Sequence, residues 1–348
     1  MSNDTHHDLA PASSFARTAR SPLPLPALSR RTWLATSAGL LAGLPGTVRG
    51  DDEPAAPPLL TYESPQTQTW KIGLILESGR THCGNVLATF PVPTAWPEQT
   101  VRLIDQEVDG YITGWKPRVL TGGVKQVMLA MNQVPPGSEV KLLLTFEIER
   151  SRILGPEQTE MLQIPRRISG DLRFAMGNSP YIDASHPRIK AVARDLMATP
   201  ADTPWTQIER TYDWVRDNIE YTEGKLMSAS DALSEGKGDC EEMTSLFVAL
   251  CRNQRVPARM VWIPGHCYPE FYLAGPDDEG AWFPCQAAGT RQFGRLDEYR
   301  PVLQKGDRFQ VPELKAPQRY VAEFFTCKKL RGSSGEPDPN FVRELIDG

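Results

Sequence analysis

At about Ser179 the chain changes its hydrophobic period, and this change constrains the fold more than any other feature. Upstream, residues 69–77, 82–90, 101–108, 111–120, 124–134 and 139–150 are short runs rich in β-branched and aromatic residues. Turn signals part them at Glu77-Ser78-Gly79, Thr121-Gly122-Gly123 and Pro135-Pro136-Gly137-Ser138. Six strands at hairpin spacing predict an all-β sandwich over residues 59–165. Downstream, Ile189, Val192, Ala193 and Leu196 form one helical stripe, and Ile208, Tyr212, Val215 and Ile219 form another. Strands followed by helices predict the α+β class, with a second domain over residues 175–331.

Within that second domain one block concentrates chemistry. It opens with Gly238-Asp239-Cys240-Glu241-Glu242-Met243 and reaches His266, Cys267 and, after Trp282-Phe283-Pro284-Cys285, Gln286. Met243, Leu246, Phe247, Leu250 and Cys251 recur at helical spacing, which predicts an amphipathic helix over residues 240–253. Asp239 is a good N-cap, and Glu242 three residues on completes a capping-box pattern. Cys240 thus falls on the first helical turn, where free backbone N–H groups and the macrodipole favour a thiolate. Glu241 and Glu242 oppose this by like charge, so a nearby cation is required, and protonated His266 is the candidate. Strands are expected at residues 256–262, 266–273 and 282–285, the last after a turn at 275–280. A helix start facing two adjacent strands would gather a thiol, an imidazole and an amide, the set used for nucleophilic acyl transfer.

Other readings of the same residues exist. Cys251, on the apolar helix face, reads as a small buried hydrophobe. His266 alone would be a satisfied strand histidine, and Gln286 alone a solvated strand end. Zinc held by Cys240, His266, Cys267 and Cys285 is a further alternative, but the chain contains no Cys-x-x-Cys pair. His82 and Cys83 stand together at a strand start without further site-forming neighbours, and His186 reads as a residue at a helix start.

The block resembles the transglutaminase-like superfamily, relatives of papain-type thiol enzymes, over residues 180–330. The resemblance rests on Gly-x-Cys opening a helix and on the Leu250-Cys251-Arg252 to Val256-Pro257-Ala258-Arg259-x-Val261 segment. It also rests on His266 to Glu270 and on the Trp-x-Pro run before position 286. It implies Cys240 as nucleophile, His266 as general base and acid, and Gln286 as the residue that orients the imidazole. Two positions depart from the family pattern: Gln286 stands where Asp is usual, and Tyr268 replaces a Trp. A Gln still accepts a hydrogen bond from the ring but adds no charge. The resemblance also implies an oxyanion hole from the backbone N–H at Cys240 and a second donor upstream, for which residues 223–231 are the candidate segment. The implied activity is thiol-dependent acyl transfer or hydrolysis on protein or peptide amides, with no metal or organic cofactor. A non-catalytic interaction protein that keeps this fold is the alternative.

A net charge of −5, with no basic block beyond residues 17–31, argues against nucleic acid or an anionic membrane as partner. Residues 1–28 lack periodicity, and Ser29-Arg30-Arg31-Thr32-Trp33-Leu34 leads into a short apolar stretch ending near Leu44. This resembles a twin-arginine export signal, followed by an acidic, Pro-rich linker at 51–58, and it predicts a periplasmic or extracellular protein without stable membrane insertion. An oxidising compartment permits disulfides among the six cysteines, but their spacing dictates no pairing. Residues 307–312 and 319–328 are expected to add strands to the second domain, residues 332–348 to form a flexible tail, and 341–346 a last helical turn.

Overall fold

The computed structural model describes residues 58–168 and 170–348; the expected export signal and nearly all of the linker lie outside them. The chain runs β1 (Thr61–Glu77), β2 (Cys83–Val92), β3 (Gln99–Val108), β4 (Gly114–Val119), β5 (Lys125–Val134) and β6 (Glu139–Leu154). Then follow α1 (Pro187–Ala198), α2 (Pro204–Asn218), β7 (Glu220–Tyr221), α3 (Ala229–Glu235), β8 (Lys237–Gly238) and α4 (Cys240–Asn253). The chain closes with β9 (Ala258–Ile263), β10 (His266–Ala274), β11 (Gly280–Pro284), β12 (Gln304–Lys305), β13 (Phe324–Lys329) and β14 (Asp338–Asp347). No described helix is long and apolar enough to cross a membrane.

Two antiparallel sheets, ordered β14-β1-β6-β3 and β13-β2-β5-β4, form the sandwich. Alternate residues turn inward along each strand: Trp70, Ile72, Leu74 and Leu76 on β1, Val86, Ala88 and Phe90 on β2, Leu142, Leu144 and Phe146 on β6. Each fully buried aliphatic or aromatic side chain stabilises the fold by about 1.5–3 kcal/mol. Gly73 lets β1 and β6 approach, since a Cβ there would lie 1.9 Å from the Leu142 carbonyl oxygen.

The C-terminal segment departs from expectation. Residues 338–347 are neither flexible tail nor helix; they form a ten-residue strand that pairs with β1 from Thr69↔Asp347 to Glu77↔Asp338. Residues 324–329 join β2 of the sandwich, and only Gln304–Lys305 extends the sheet of the second domain, beside β9. Residues 307–312 form no strand beyond a bridge at Phe309↔Gln318. The sandwich is therefore assembled from both ends of the described chain. Each late strand covers a sheet edge whose backbone groups would otherwise lack partners.

In the second half, α4 lies between α1, α2 and α3 on one side and the sheet β11-β10-β9-β12 on the other. This placement makes it more than amphipathic: every residue from Glu242 to Arg252 is buried. Arg252 of α4 and the charged residues of the adjoining sheet are paired. Arg252 meets Asp307 at 2.8 Å, both side chains 1% exposed, and Glu270 lies between Arg259 at 2.8 Å and Lys305 at 2.6 Å. Lys305 also reaches Glu98 of the sandwich half at 2.7 Å. A second tie is Arg150, fully buried at the end of β6: it donates to the Tyr268 hydroxyl at 2.9 Å and to the Arg300 carbonyl. Tyr268, which stands where the resemblance expected Trp, thus carries a hydrogen bond that an indole, a donor only, would not accept.

Candidate active site

The start of α4 is held from several directions. The Asp239 carboxylate accepts from the Glu241 amide at 2.7 Å, and Glu242 Oε2 accepts from the Asp239 amide at 2.9 Å, completing the expected capping box. Glu242 Oε1 also accepts from the Met227 amide at 2.9 Å, tying the helix start to the segment before α3. Gly238 is required for this fold-back, because a Cβ there would lie 2.4 Å from Glu242 Cβ. Parallel pairing of β8 with β7 fixes the approach of the chain. Cys240 follows as the first helical residue, half-buried.

β10 brings the imidazole. His266 Nε2 bonds Gln286 Oε1 at 2.9 Å, which leaves Nδ1 to serve the Cys240 thiol, with which the ring is in hydrogen-bonding contact. Gln286 is only 9% exposed and its backbone is fixed on both sides. Its amide donates to the Gln292 carbonyl at 2.8 Å, and its carbonyl accepts from the Tyr212 hydroxyl at 2.7 Å and from Arg216 at 3.0 Å. Arg216 also donates to the Ala287 and Gly289 carbonyls, so α2 clamps the whole loop after β11. Cys240, His266 and Gln286 thus stand together, as the sequence led us to expect.

The electrostatics favour an ion pair. The Cys240 thiol is lowered to about 5: the Cys267 side chain in contact with it contributes most, burial opposes, and His266 and the Cys267 backbone N–H add to the lowering. Burial works to keep His266 neutral, but the contact with Cys240 and the bond to Gln286 outweigh it and raise its pKa. Cys267 itself stays a neutral thiol, pushed well up by burial and by the adjacent Cys240, and its Sγ lies 3.9 Å from Thr244 Oγ1, one helical turn beyond Cys240. The flanking acids are muted. Burial raises Glu241 to about 7 in spite of its ion pair with Arg319, and the Glu242 carboxylate is raised by burial while engaged in the cap.

Solvent reaches the site on both sides of His266. A cleft of about 590 Å³ lies over Cys240, walled by Trp262, Tyr320, Arg319 and Arg343. A second, of about 340 Å³, is lined by His266, Gln286, Tyr221, Thr290 and Arg300. Both share Tyr221, Gly265 and His266, so the site opens as a groove.

Other residues fall away from the site. Cys251 and Cys285 are fully buried, the latter with its Sγ 3.9 Å from the Pro269 carbonyl oxygen, and all six cysteines are free thiols. Among the described residues no group of three or more His, Cys, Asp or Glu is arranged to hold a metal. His186 caps α1, accepting from the Arg188 amide at 3.3 Å. Part of segment 223–231 is spent on the first turn of α3, and the second oxyanion donor stays unassigned. Sequence reasoning missed Cys267 as a partner of Cys240, although it follows His266 directly. It also missed Arg216, Arg300 and Arg319, whose distance in sequence from Cys240 offers no signal.

Comparison with known proteins bears on the fold around these residues. Residues 190–287 match the transglutaminase-like superfamily. An uncharacterized protein of Haemophilus influenzae is 22% identical over 256 residues, covering 62% of this chain; the chain spans 66% of that relative's length. Among solved structures, a putative cysteine protease from Cytophaga hutchinsonii superposes with a TM-score of 0.53 at 16% identity, covering 83% of this chain and 94% of the other. A putative protease from Parabacteroides distasonis is more remote, with a TM-score of 0.27 at 9% identity over 64% of this chain and 47% of the other. With the capped helix, the imidazole strand and the amide in place, residues 190–287 form a transglutaminase-like superfamily domain, set in an α+β protein beside a β-sandwich.

Proposed function

We propose that this protein is a thiol-dependent acyl-transfer enzyme acting on amides of proteins or peptides, with hydrolysis as its main outcome. The observation that carries this reading is the half-buried Cys240 on the first turn of α4, touching an imidazole whose far nitrogen is held by Gln286 at 2.9 Å. In the proposed reaction the Cys240 thiolate attacks the amide carbon, and the backbone N–H at the helix start faces the developing oxyanion. His266 gives its proton to the leaving amine and an acyl-enzyme forms. Water, activated by the now neutral His266, then releases the acid. An amine acceptor would make the same intermediate a cross-link; the groove is open to solvent, and water is the abundant acceptor.

The test is alkylation of the native protein by iodoacetamide across a pH series. Cys240 should react rapidly from about pH 6, far below the range where an ordinary thiol ionises, and well ahead of the other five cysteines. Slow, uniform labelling that rises only near pH 8.5 would favour the non-catalytic alternative, in which the fold serves to hold a partner. The sequence around Arg30 and Arg31 supports placing the protein outside the cytoplasm. Replacing both arginines by lysine should then retain the precursor inside; unchanged export would refute that placement.

A further inference from the structure

A second pair of thiols lies far from the groove. Cys83 opens β2, and Cys327 belongs to β13, the strand paired with it. The register runs from Phe324↔Thr89 to Lys329↔Cys83 and slips between Thr326 and Lys328, so Cys327 sits in a bulge. Phe325 and Cys327, two residues apart, both pack against the sandwich core, of which Cys83 is a fully buried member. Cys327 stands two residues from Lys329, the partner of Cys83. It is near enough to help raise the Cys83 thiol, whose Sγ lies 4.0 Å from the Thr81 carbonyl oxygen. No helix start accompanies the two thiols, and nothing in the proposed chemistry uses them.

We infer that Cys83 and Cys327 form a disulfide when the protein folds in an oxidising environment, stapling β13 to β2. The bond would close a ring that contains residues 84–326, and with them the three candidate catalytic side chains and every named wall of the groove except Arg343. Glutathione disulfide suffices as oxidant. The half-exposed Cys327 thiolate attacks one of its sulfurs and releases one glutathione thiol; Cys83 then displaces the second, so two thiols lose two protons and two electrons while one glutathione disulfide becomes two thiols. Burial and the neighbouring Cys327 push the Cys83 thiol up to about 12, which makes this exchange slow once β13 has paired. The bond should therefore form during folding, while Cys83 is still reached by solvent.

The experiment is to refold the full chain in a mixture of reduced and oxidised glutathione. Thiols are then counted in denaturant, and the cysteine peptides mapped without reduction. We expect four of the six thiols to remain, a single Cys83–Cys327 linkage, and a mass lower by two hydrogen atoms. The melting temperature should fall by roughly 5 °C or more on adding a reductant, as for a long loop released from a cross-link. Cys327→Ser should retain six minus one thiols in both buffers and show no response of melting temperature to reductant. Recovery of six thiols from the wild type overturns the inference. So does a linkage of any other pair, including Cys240 with Cys267, whose thiols touch.

Discussion

The two halves of the molecule each hold a pair of neighbouring cysteines, one buried and one half-buried, and they treat the thiol in opposite ways. In the sandwich, Cys83 is pushed up to about 12 by burial and by Cys327. Under the groove, Cys240 is drawn down to about 5, chiefly by Cys267 with help from His266 against burial. The amino acids are the same and both pairs are close; what differs is the surrounding dipoles. Cys83 faces a carbonyl oxygen and apolar strands, which give a thiolate nothing to bond. Cys240 opens a helix, where the dipole favours a thiolate, and it meets the Cys267 side chain, His266 and the Cys267 backbone N–H, each of which lowers it. The same contrast extends beyond sulfur. The sandwich packs its sheets on an aliphatic and aromatic cluster, with Thr89 and Gln126 buried beside it. The site-bearing half instead buries the Arg252–Asp307 and Arg259–Glu270–Lys305 ion pairs, the last of which reaches Glu98 of the sandwich half.

The sharpest way to break this comparison is Cys240→Ala. Fast alkylation near pH 6 and all turnover of an amide substrate should disappear while circular dichroism and melting stay near wild type, because the side chain is half-buried. Turnover surviving in this variant would remove the thiol mechanism altogether. Gln286→Ala comes next. Loss of the bond to Nε2 loosens the imidazole, and kcat should fall partially, within the roughly hundred- to ten-thousand-fold that a positioned base contributes. Full activity would show that another group orients His266.

Asp307→Ala sets the two interiors against each other. It leaves the Arg252 guanidinium buried without its carboxylate, and urea unfolding should show a loss of about 3–5 kcal/mol. Leu142→Ala in the sandwich should lose about 2–5 kcal/mol by a different route, an empty cavity. A negligible loss at Asp307 would mean that water reaches Arg252 and that the polar interior is not dry.

The smallest effect is expected from Gln286→Asp. A carboxylate against Nε2 favours the imidazolium, so the His266 pKa, already raised, rises further. The ion pair then persists to higher pH: the acid limb, set by Cys240 near about 5, moves little, and the alkaline limb moves upward. A pH–rate profile of wild type and variant measures both limbs. An alkaline limb that stays in place would show that His266 does not set it.

Much of this organisation was legible in the sequence because it depends on local pattern. Period-two runs located the first six strands to within a few residues, except that β1 begins eight residues earlier than residue 69, where the chain is polar and pairs with β6 across a bulge between Glu63 and Gln66. The helical stripes gave α1, α2 and α4, and Asp239 with Glu242 announced the capping box that places Cys240. Short α3 escaped notice because seven residues make too little of a stripe to read. Residues 338–347 were misjudged because their strand has no fully buried face; its partner β1 lies more than 260 positions away, and only that partner makes it a strand.

The sequence by itself therefore determined the first six sandwich strands, the helices α1, α2 and α4, and the order thiol, imidazole, amide, since each follows from spacing within a few turns of chain. The tertiary structure alone decided three further things: that both ends of the described chain close the sandwich, that Arg150 and Lys305 tie the two halves together, and that Cys267 joins the expected His266 in lowering the Cys240 thiol and contributes most. These depend on which surfaces meet. Hydrogen bonds and desolvation act over a few ångströms in space, whatever the separation along the chain, and no local period encodes them.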